Sequence, residues 1–329
     1  MTIHSPDLKS KIKKIISLLL PIALGVFLIL YNYNQFSAAQ LEQMKTSFVH
    51  ADYTYIFISL GLAILALITR AYRWKYPLEH LGYETNFKLN FLAVCSSYLV
   101  NMTIPRSGEV SRALVLTKYQ KIPFDKCFGT IVAERVVDFV FLLSFISLAL
   151  FLQMDVLKEF LLKIIPLNTL ILILVGFLIF SIGFLLFVTR SNTSLAKKIR
   201  LKTAGLVNGL KSVFQMKNKV PFLLQTLLIW LFYVLMFYVA IYALPETSDL
   251  AFQVVFTAFV VGGLAISFTN GGFGAYPVLV AEILLLYQVP LSAGTAFGWI
   301  VWISQTLLIV LLGGISFFLI PFFFNKNKT

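Results

Sequence analysis

The sequence predicts an all-α, polytopic helical membrane protein, and three observations support this fold class. Of the 329 residues, 59% are hydrophobic, and the mean hydropathy is +0.88. The apolar runs are long and continuous, unlike the ~10-residue alternating segments of a transmembrane β-barrel. Two other apolar runs are interrupted by polar turns that contain glycine and proline. We therefore expect about six full spans plus two re-entrant or broken hairpins.

The continuous apolar runs locate the full spans, because a helix needs about 20 apolar residues to cross the hydrocarbon core. The predicted spans are 15–32, 54–72, 128–152, 167–189, 220–244 and 295–320. The first span follows four lysines, as a signal peptide would. It is too long for a usual signal-peptide core, however, and no small-residue cleavage site follows it. We therefore interpret it as a retained span.

The distribution of basic residues orients these spans. Five segments hold 23 of the 27 lysines and arginines: 1–14, 70–88, 106–126, 190–219 and 326–328. The positive-inside rule places all five in the cytoplasm. This predicts one domain, 1–329, in the inner (cytoplasmic) membrane with both termini cytoplasmic. The basic tail 1–14, the basic loop 190–219 and the tail 325–329 all lie inside. The net charge of +13 is therefore a topology signal, and we expect no nucleic-acid partner.

The same orientation predicts that residues 88–105 form a re-entrant hairpin. A full crossing would move the basic residues of 106–126 to the outside. Pro105 and Gly108 suit the tip of such a hairpin, because irregular backbone at membrane depth must be satisfied by protein or water.

A second interrupted segment occupies residues 253–292. Its apolar run from Val254 to Phe268 breaks at 270–277 and then resumes. The segment 253–320 must cross an odd number of times, so it forms either one external hairpin plus one span or three spans. Two interrupted segments that enter from opposite faces are typical of inverted-repeat transporters, although the two halves share no clear sequence identity.

Three charged residues stand out inside the span 128–152: Glu134, Arg135 and Asp138. Charges at membrane depth are costly and usually face a protein interior or a wet cavity. Helical spacing places the three on one arc, and Arg135 and Asp138 can form an i, i+3 ion pair. Two interpretations stay open, a structural ion pair that locks neighbouring helices and the wall of a polar cavity.

A second charged group follows the first break: Arg106, Glu109 and Arg112. It fits either an ordinary interfacial helix or a set of guanidinium groups that bind a phosphate, for which arginine geometry is well suited.

The second hairpin contributes a polar, glycine-rich turn and one acid. They are Asn270, Gly271, Gly272, Gly274 and Glu282. Glycine permits positive φ and close backbone approach. Glu282 is the only ionised side chain between 252 and 324. We expect it either to pair with an arginine of the first half or to be buried and protonated.

The sequence offers little for catalysis. The three histidines lie in terminal or loop positions without metal-ligand spacing, and there is no Gly-x-Ser-x-Gly motif. Cys95 and Cys127 are interpreted as packing residues. We expect no catalytic residue, no metal and no cofactor. Intramembrane hydrolysis by Glu134 and Asp138 is the third-ranked function.

The two charged groups carry a family resemblance. Asn101 with Pro105-Arg-Ser-Gly-Glu109 and Arg112, followed by Ala133-Glu-Arg-Val-Val-Asp138, resembles the membrane domain of lysylphosphatidylglycerol synthases. It also resembles their stand-alone relatives, the flippase-like integral membrane proteins, over roughly residues 12–322. The resemblance implies a helical domain that moves, or helps to move, an amphipathic lipid between leaflets. Because the sequence holds no aminoacyl-transferring domain, lysyl transfer is not expected.

The resulting hypothesis is a protein that binds and flips an anionic or zwitterionic lipid, either a phospholipid or a polyprenyl-linked lipid, without ATP. Three arginines would contact the phosphate and three acids would hold them: Arg106, Arg112 and Arg135, with Glu109, Glu134 and Asp138. The glycines of the second hairpin would form an opposing gate, and Glu282 is a candidate proton carrier. The alternative is a non-transporting membrane partner of a lipid-modifying or glycosyl-transferring enzyme.

Overall fold

The computed structural model describes residues 36–154, 213–269 and 271–324 continuously, with scattered residues between 23 and 34 and between 169 and 200. No strand occurs among these residues. The expected spans 15–32 and 167–189 and both terminal tails lie largely or wholly outside them, as does much of the loop 190–219.

Eleven α-helices are bounded in the described ranges. They are α1 (Ala38–His50), α2 (Tyr53–Arg73), α3 (Lys75–His80), α4 (Phe87–Thr103), α5 (Gly108–Gln120), α6 (Phe124–Leu152), α7 (Lys219–Ala240), α8 (Pro245–Ser248), α9 (Phe252–Phe268), α10 (Ala275–Leu285) and α11 (Leu291–Phe324). Four helical stretches are long and apolar enough to cross a membrane: Tyr53–His80, Phe124–Leu152, Lys219–Ala243 and Leu291–Phe324. The helical membrane fold is thus confirmed, and these stretches correspond to four of the predicted spans.

Side-chain caps set the starts of several helices. Ser37 and Gln40 form a reciprocal capping box at the start of α1. The side chain of Asp52 accepts a hydrogen bond from the backbone N–H of Thr54 at the start of α2. Such caps satisfy backbone donors that a helix leaves unpaired at its first turn.

Helices α2 and α7 lie side by side and antiparallel. At one end the Asp52 N–H donates to the Ala243 carbonyl at 2.9 Å. At the other end Arg73 donates to the Thr226 hydroxyl, also at 2.9 Å. The last turn of α2 therefore lies beside the first third of α7.

The first interrupted segment breaks at the predicted tip, and its two arms form a helical hairpin. Residues 88–105 are not a hairpin by themselves, however, because α4 covers nearly all of them and the returning arm is α5, within the segment 106–126. Helix α4 ends at Thr103, and a four-residue turn with Arg106 at φ 62° leads into α5. The two helices cross closely at Gly108, where an added Cβ would lie 2.1 Å from the Ser97 carbonyl oxygen. Only glycine permits this approach.

The second interrupted segment is also a hairpin, formed by α9 and α10. Helix α10 has 11 residues, which at 1.5 Å per residue is about 16 Å, roughly half the hydrocarbon core. It is too short to cross alone. This length favours one external hairpin plus one span over three spans.

Helix α10 packs against the first half of α11. Gly298 lies against Pro277, where a Cβ would come within 2.6 Å of the proline Cα, and Gly294 lies against Ala281. The ring of Phe273, in the turn before α10, is 5.6 Å from that of Trp302. The turn of this hairpin therefore points toward the middle of α11.

Helix α4 packs against the second half of α11. Gly313 lies against Leu99, where a Cβ added to the glycine would be 2.5 Å from the leucine Cβ. Near the start of α4, Phe91 shares a cavity with Phe323 at the end of α11. The two hairpins thus approach one long helix from opposite ends, as the sequence predicts.

Adjacent glycines of α11 provide a matched test of this packing. Gly313→Ala should lower the free energy of unfolding by about 1–3 kcal/mol, because the new methyl group overpacks against α4. Gly314 has nothing within 4 Å of a built Cβ, so Gly314→Ala should be neutral or stabilise by up to ~1 kcal/mol. Thermal unfolding of the detergent-solubilised protein measures both, and equal effects would contradict the α4–α11 contact.

Candidate functional site: a buried arginine–carboxylate cluster

Helices α2, α5 and α6 bring seven charged side chains together, and we call this group the charge cluster. Its members are Arg70, Arg73, Glu109, Arg112, Glu134, Arg135 and Asp138.

Asp138 is held by two arginines of α2. Arg73 donates to Oδ1 at 2.7 Å and to Oδ2 at 3.3 Å. Arg70 donates to Oδ2 at 2.9 Å. The two arginines are three residues apart, so they project from one face of α2. They grip both carboxylate oxygens of Asp138 from the neighbouring helix.

Glu134 is fully buried and is held from α5. Arg112 donates to its Oε2 at 2.7 Å, and the Arg73 Nε lies 3.6 Å from Oε1. The Arg112 guanidinium also lies over the Trp74 ring, 3.7 Å from the centroid. This is cation–π geometry, which favours a desolvated arginine.

These contacts decide between two interpretations of the sequence for part of the cluster. Glu134 and Asp138 form interhelical ion pairs, as the helix-locking interpretation of the span 128–152 expects. Arg112 is the partner of Glu134, which neither interpretation of Arg106, Glu109 and Arg112 expected. Arg112 is only 2% exposed and is covered by Trp74 and Glu134. The structure therefore does not place Arg112 at a surface open to a head group, which corrects that expectation.

Arg135 is the open member of the charge cluster, since its side chain is 41% exposed. Its Nε lies 3.5 Å from Glu109 Oε1, and its Nη1 lies 3.6 Å from Asp138 Oδ2. The expected i, i+3 pair is therefore present but long. Asn101 supports the arrangement, because its amide accepts from the Gly108 N–H at 2.7 Å and lies 3.4 Å from Glu109 Oε2.

Arg135 and Glu109 border a cavity of about 170 Å³, which we call the Arg135 groove. The other lining residues are all apolar: Phe128, Ile131, Val132, Val136 and Phe139. Five of the seven lining residues therefore suit a hydrocarbon chain, and the surface open to the cavity is almost wholly apolar. The partly exposed side chain of Arg135 lies at the border of this cavity.

Arg106 lies in the turn between α4 and α5, where it is exposed and adopts φ 62°. Positive φ is unfavourable for a residue with a side chain and often marks a functional position. No hydrogen bond or ion pair holds this side chain among the residues described. Arg106 therefore stays a candidate contact for a ligand that reaches the turn.

The second hairpin is separate from the charge cluster. Gly271, Gly272 and Gly274 adopt φ values of 66°, 80° and 70°, which confirms the expected positive φ. Trp302 donates to the Gly271 carbonyl at 2.8 Å. In the described part of the chain, no hydrogen bond or ion pair joins this turn to the cluster. Asn270 lies outside the described residues.

Glu282 differs from both expectations for it. Glu282 is exposed on α10, so it is not a buried acid. It also forms no ion pair with an arginine of the first half in the described ranges. The reason is helix rotation, because α10 turns Pro277 and Ala281 toward α11 and Glu282 away from it.

Comparison with known proteins agrees with this architecture. Residues 15–313 match the family described as the lysylphosphatidylglycerol synthase TM region. The chain belongs to this family. It is also 33% identical over 108 residues to a UPF0104 membrane protein of Methanocaldococcus jannaschii. That match covers 32% of each chain, so it spans about a third of the relative's length. No solved structure matches.

In this member of the synthase TM-region family, sequence reasoning missed Arg70 and Arg73. The positive-inside rule assigned them, with the rest of 70–88, to the cytoplasm. Their i, i+3 spacing directly before Trp74 was an available signal. Tyr233 was also missed. It accepts from Arg70 at 3.2 Å and lies 3.4 Å from the Tyr98 hydroxyl, and no pattern distinguishes these tyrosines from membrane-facing ones.

The described residues contain no group of three or more histidine, cysteine or acidic side chains that could hold a metal ion. The acids proposed for hydrolysis, Glu134 and Asp138, are buried and paired with arginines. This pairing disfavours a role as an acid–base pair, which needs access to water and substrate.

The Arg112–Glu134 pair can be tested through stability. Arg112→Met should lower the free energy of unfolding by about 3–5 kcal/mol, because it leaves the buried Glu134 without its hydrogen-bond donor and with only the 3.6 Å contact to Arg73. Lys118→Met, on the exposed face of α5, is the matched control and should change it by less than about 0.5 kcal/mol. Both can be measured by denaturant titration in detergent.

A double variant makes the same test specific to the ion pair. Adding Glu134→Gln to Arg112→Met should recover part of the lost stability, since the carboxylate that lost its Arg112 donor is then uncharged. Strictly additive losses would mean that the two side chains act independently.

Proposed function

We propose that this protein binds the phosphate of an anionic or zwitterionic membrane lipid at Arg135 and allows that lipid to cross between leaflets without ATP. The observation that carries the proposal is the position of Arg135. Among the described arginines of the charge cluster, it has the most exposed side chain, and an apolar groove lies beside it.

The contacts of Arg135 leave it able to take a ligand. Its two ion-pair distances, 3.5 and 3.6 Å, are longer than the 2.7–2.9 Å typical of charge-assisted hydrogen bonds. Its Nε is buried beside Glu109 and makes no hydrogen bond among the described residues, so a phosphate reaches this donor only if Glu109 or the Arg135 side chain moves. A phosphate accepts paired N–H donors from a guanidinium in a planar, bidentate geometry. A lipid phosphate therefore suits these donors well.

The groove supports an amphipathic ligand over a free anion. Phe128, Val132 and Phe139 would contact the start of an acyl or polyprenyl chain while the phosphate meets Arg135. A polar group at membrane depth is costly without such a partner. A charged wall at that depth lowers the barrier that a head group faces when it leaves its leaflet.

Family membership and topology agree with this role. The family is named for the membrane region of a lipid synthase, and the sequence contains no Gly-x-x-x-x-Gly-Lys nucleotide motif. In the proposed inner-membrane orientation, with both termini cytoplasmic, Arg135 lies in the cytoplasmic half of α6. The glycine turn of the second hairpin would act as the opposing gate.

Removal of the Arg135 charge tests the proposal. In proteoliposomes with fluorescent phospholipids, Arg135→Ala should slow protein-dependent exchange between leaflets at least about tenfold, the effect of losing ~1.4 kcal/mol of charge-assisted binding. Lys126→Ala is the control, because Lys126 is an exposed cation on the same helix outside the groove. Leaflet accessibility to a membrane-impermeant quencher gives the rates.

Two outcomes would count against translocation. If Arg135→Ala and Lys126→Ala exchange lipid equally fast, the head group does not use Arg135. If the wild-type protein exchanges no lipid faster than empty vesicles, the protein is not a flippase. The role of non-transporting partner to a lipid-modifying enzyme would then be favoured.

Filling the groove gives a second test. Val132→Trp should slow leaflet exchange by about as much as Arg135→Ala, because the indole would occupy much of the small cavity that a lipid chain needs. Val140→Trp is the matched control, since Val140 is also exposed on α6 but does not line the groove. Equal exchange by the two tryptophan variants would exclude the groove as the lipid-binding surface.

A further inference from the structure

We infer that the Arg135 groove selects a head group with one net negative charge over a zwitterionic head group. The inference rests on the proposed function and narrows its substrate class. It comes from the charge balance of the cluster and from where the unbalanced charge lies.

The inner part of the charge cluster has more arginines than acids. Arg70, Arg73 and Arg112 are paired with Glu134 and Asp138. Three cations therefore face two anions, and all five residues are at most 8% exposed. This part carries one positive charge that no described acid balances.

The outer part does not remove that excess. Arg135 and Glu109 balance each other at 3.5 Å, so the whole cluster has four arginines against three acids. Arg70 and Arg135 both approach Asp138 Oδ2, at 2.9 and 3.6 Å. Arg70 makes the shorter contact, so Asp138 compensates the charge of Arg135 less than that of Arg70. The excess positive charge of the cluster therefore lies nearest its exposed member, Arg135.

An uncompensated charge is costly in a low-dielectric interior, and an anion within contact distance relieves that cost. A head group with one net negative charge brings the cluster to neutrality. A zwitterion supplies a phosphate but also an ammonium. Glu109 is the acid that lines the groove, and it is already paired with Arg135. The ammonium would therefore restore the positive charge that the phosphate had balanced.

The test compares two lipids with identical chains and different head-group charge. Phosphatidylglycerol carries one negative charge, and phosphatidylethanolamine is a zwitterion. Each is labelled on an acyl chain, so that the head group is intact. In wild-type proteoliposomes we expect phosphatidylglycerol to exchange at least about tenfold faster, as one unscreened charge contact predicts. Equal rates, or faster exchange of the zwitterion, would overturn the inference.

These outcomes separate the inference from the proposed function. Equal but protein-dependent exchange of both lipids would overturn the charge selectivity and leave translocation standing. If neither lipid exchanges, the proposal of translocation is overturned, and head-group selectivity is then tested by lipid binding. The detergent-solubilised protein is then titrated with each lipid and its thermal midpoint is measured. A larger shift with phosphatidylglycerol supports the inference, and equal shifts overturn it.

Glu109→Gln tests the charge balance itself, because it raises the net charge of the cluster by one. It should increase the rate for phosphatidic acid relative to phosphatidylglycerol at least about threefold, measured near pH 8, where a phosphomonoester carries about two charges. Glu84→Gln removes an exposed acid outside the cluster and should leave that ratio unchanged. An unchanged ratio in Glu109→Gln would contradict charge balance as the basis of selection.

Discussion

The rest of the site depends on the ion pairs that two arginines of α2 form with Asp138. Arg70 and Arg73 hold both oxygens of this carboxylate, and Arg73 also approaches Glu134. Through these contacts α6 is tied to α2, and Arg112 adds α5. Loss of one partner would leave a charge without compensation in a dry interior, which is far costlier than losing an exposed pair. The charges therefore fix how three helices sit together.

These buried ion pairs explain why Arg135 is the partly exposed arginine of the charge cluster. Glu134 and Asp138 are each occupied by arginines from other helices, so Arg135 receives only long contacts from Asp138 and Glu109. The helix that carries the locked acids also carries the apolar side of the groove, because positions 128, 132, 135 and 139 recur on one face of α6. One helix thus joins a rigid polar wall to a surface suited to hydrocarbon.

The two hairpins pose a different physical problem, since each breaks its backbone hydrogen bonding inside an apolar protein. Side chains satisfy the exposed groups. Asn101 accepts from the Gly108 N–H, Trp302 donates to the Gly271 carbonyl, and Thr269 accepts from the Gly272 N–H. Irregular backbone is tolerated at membrane depth only with such partners. These three side chains therefore make the interrupted segments possible.

The helical membrane class, four spans and both breaks could be predicted from the sequence, because apolar run length and the glycine and proline turns are local properties. The sequence also identified Glu134, Arg135 and Asp138 as unusual. The partners of these charges, in contrast, follow from the packing of the helices. Arg70 and Arg73 look like ordinary positive-inside charges, Arg112 looks accessible, and Glu282 looks buried. Each outcome depends on how a helix is rotated against its neighbours, and that rotation comes from packing at positions such as Gly298 and Gly313 rather than from the residue's own surroundings in sequence.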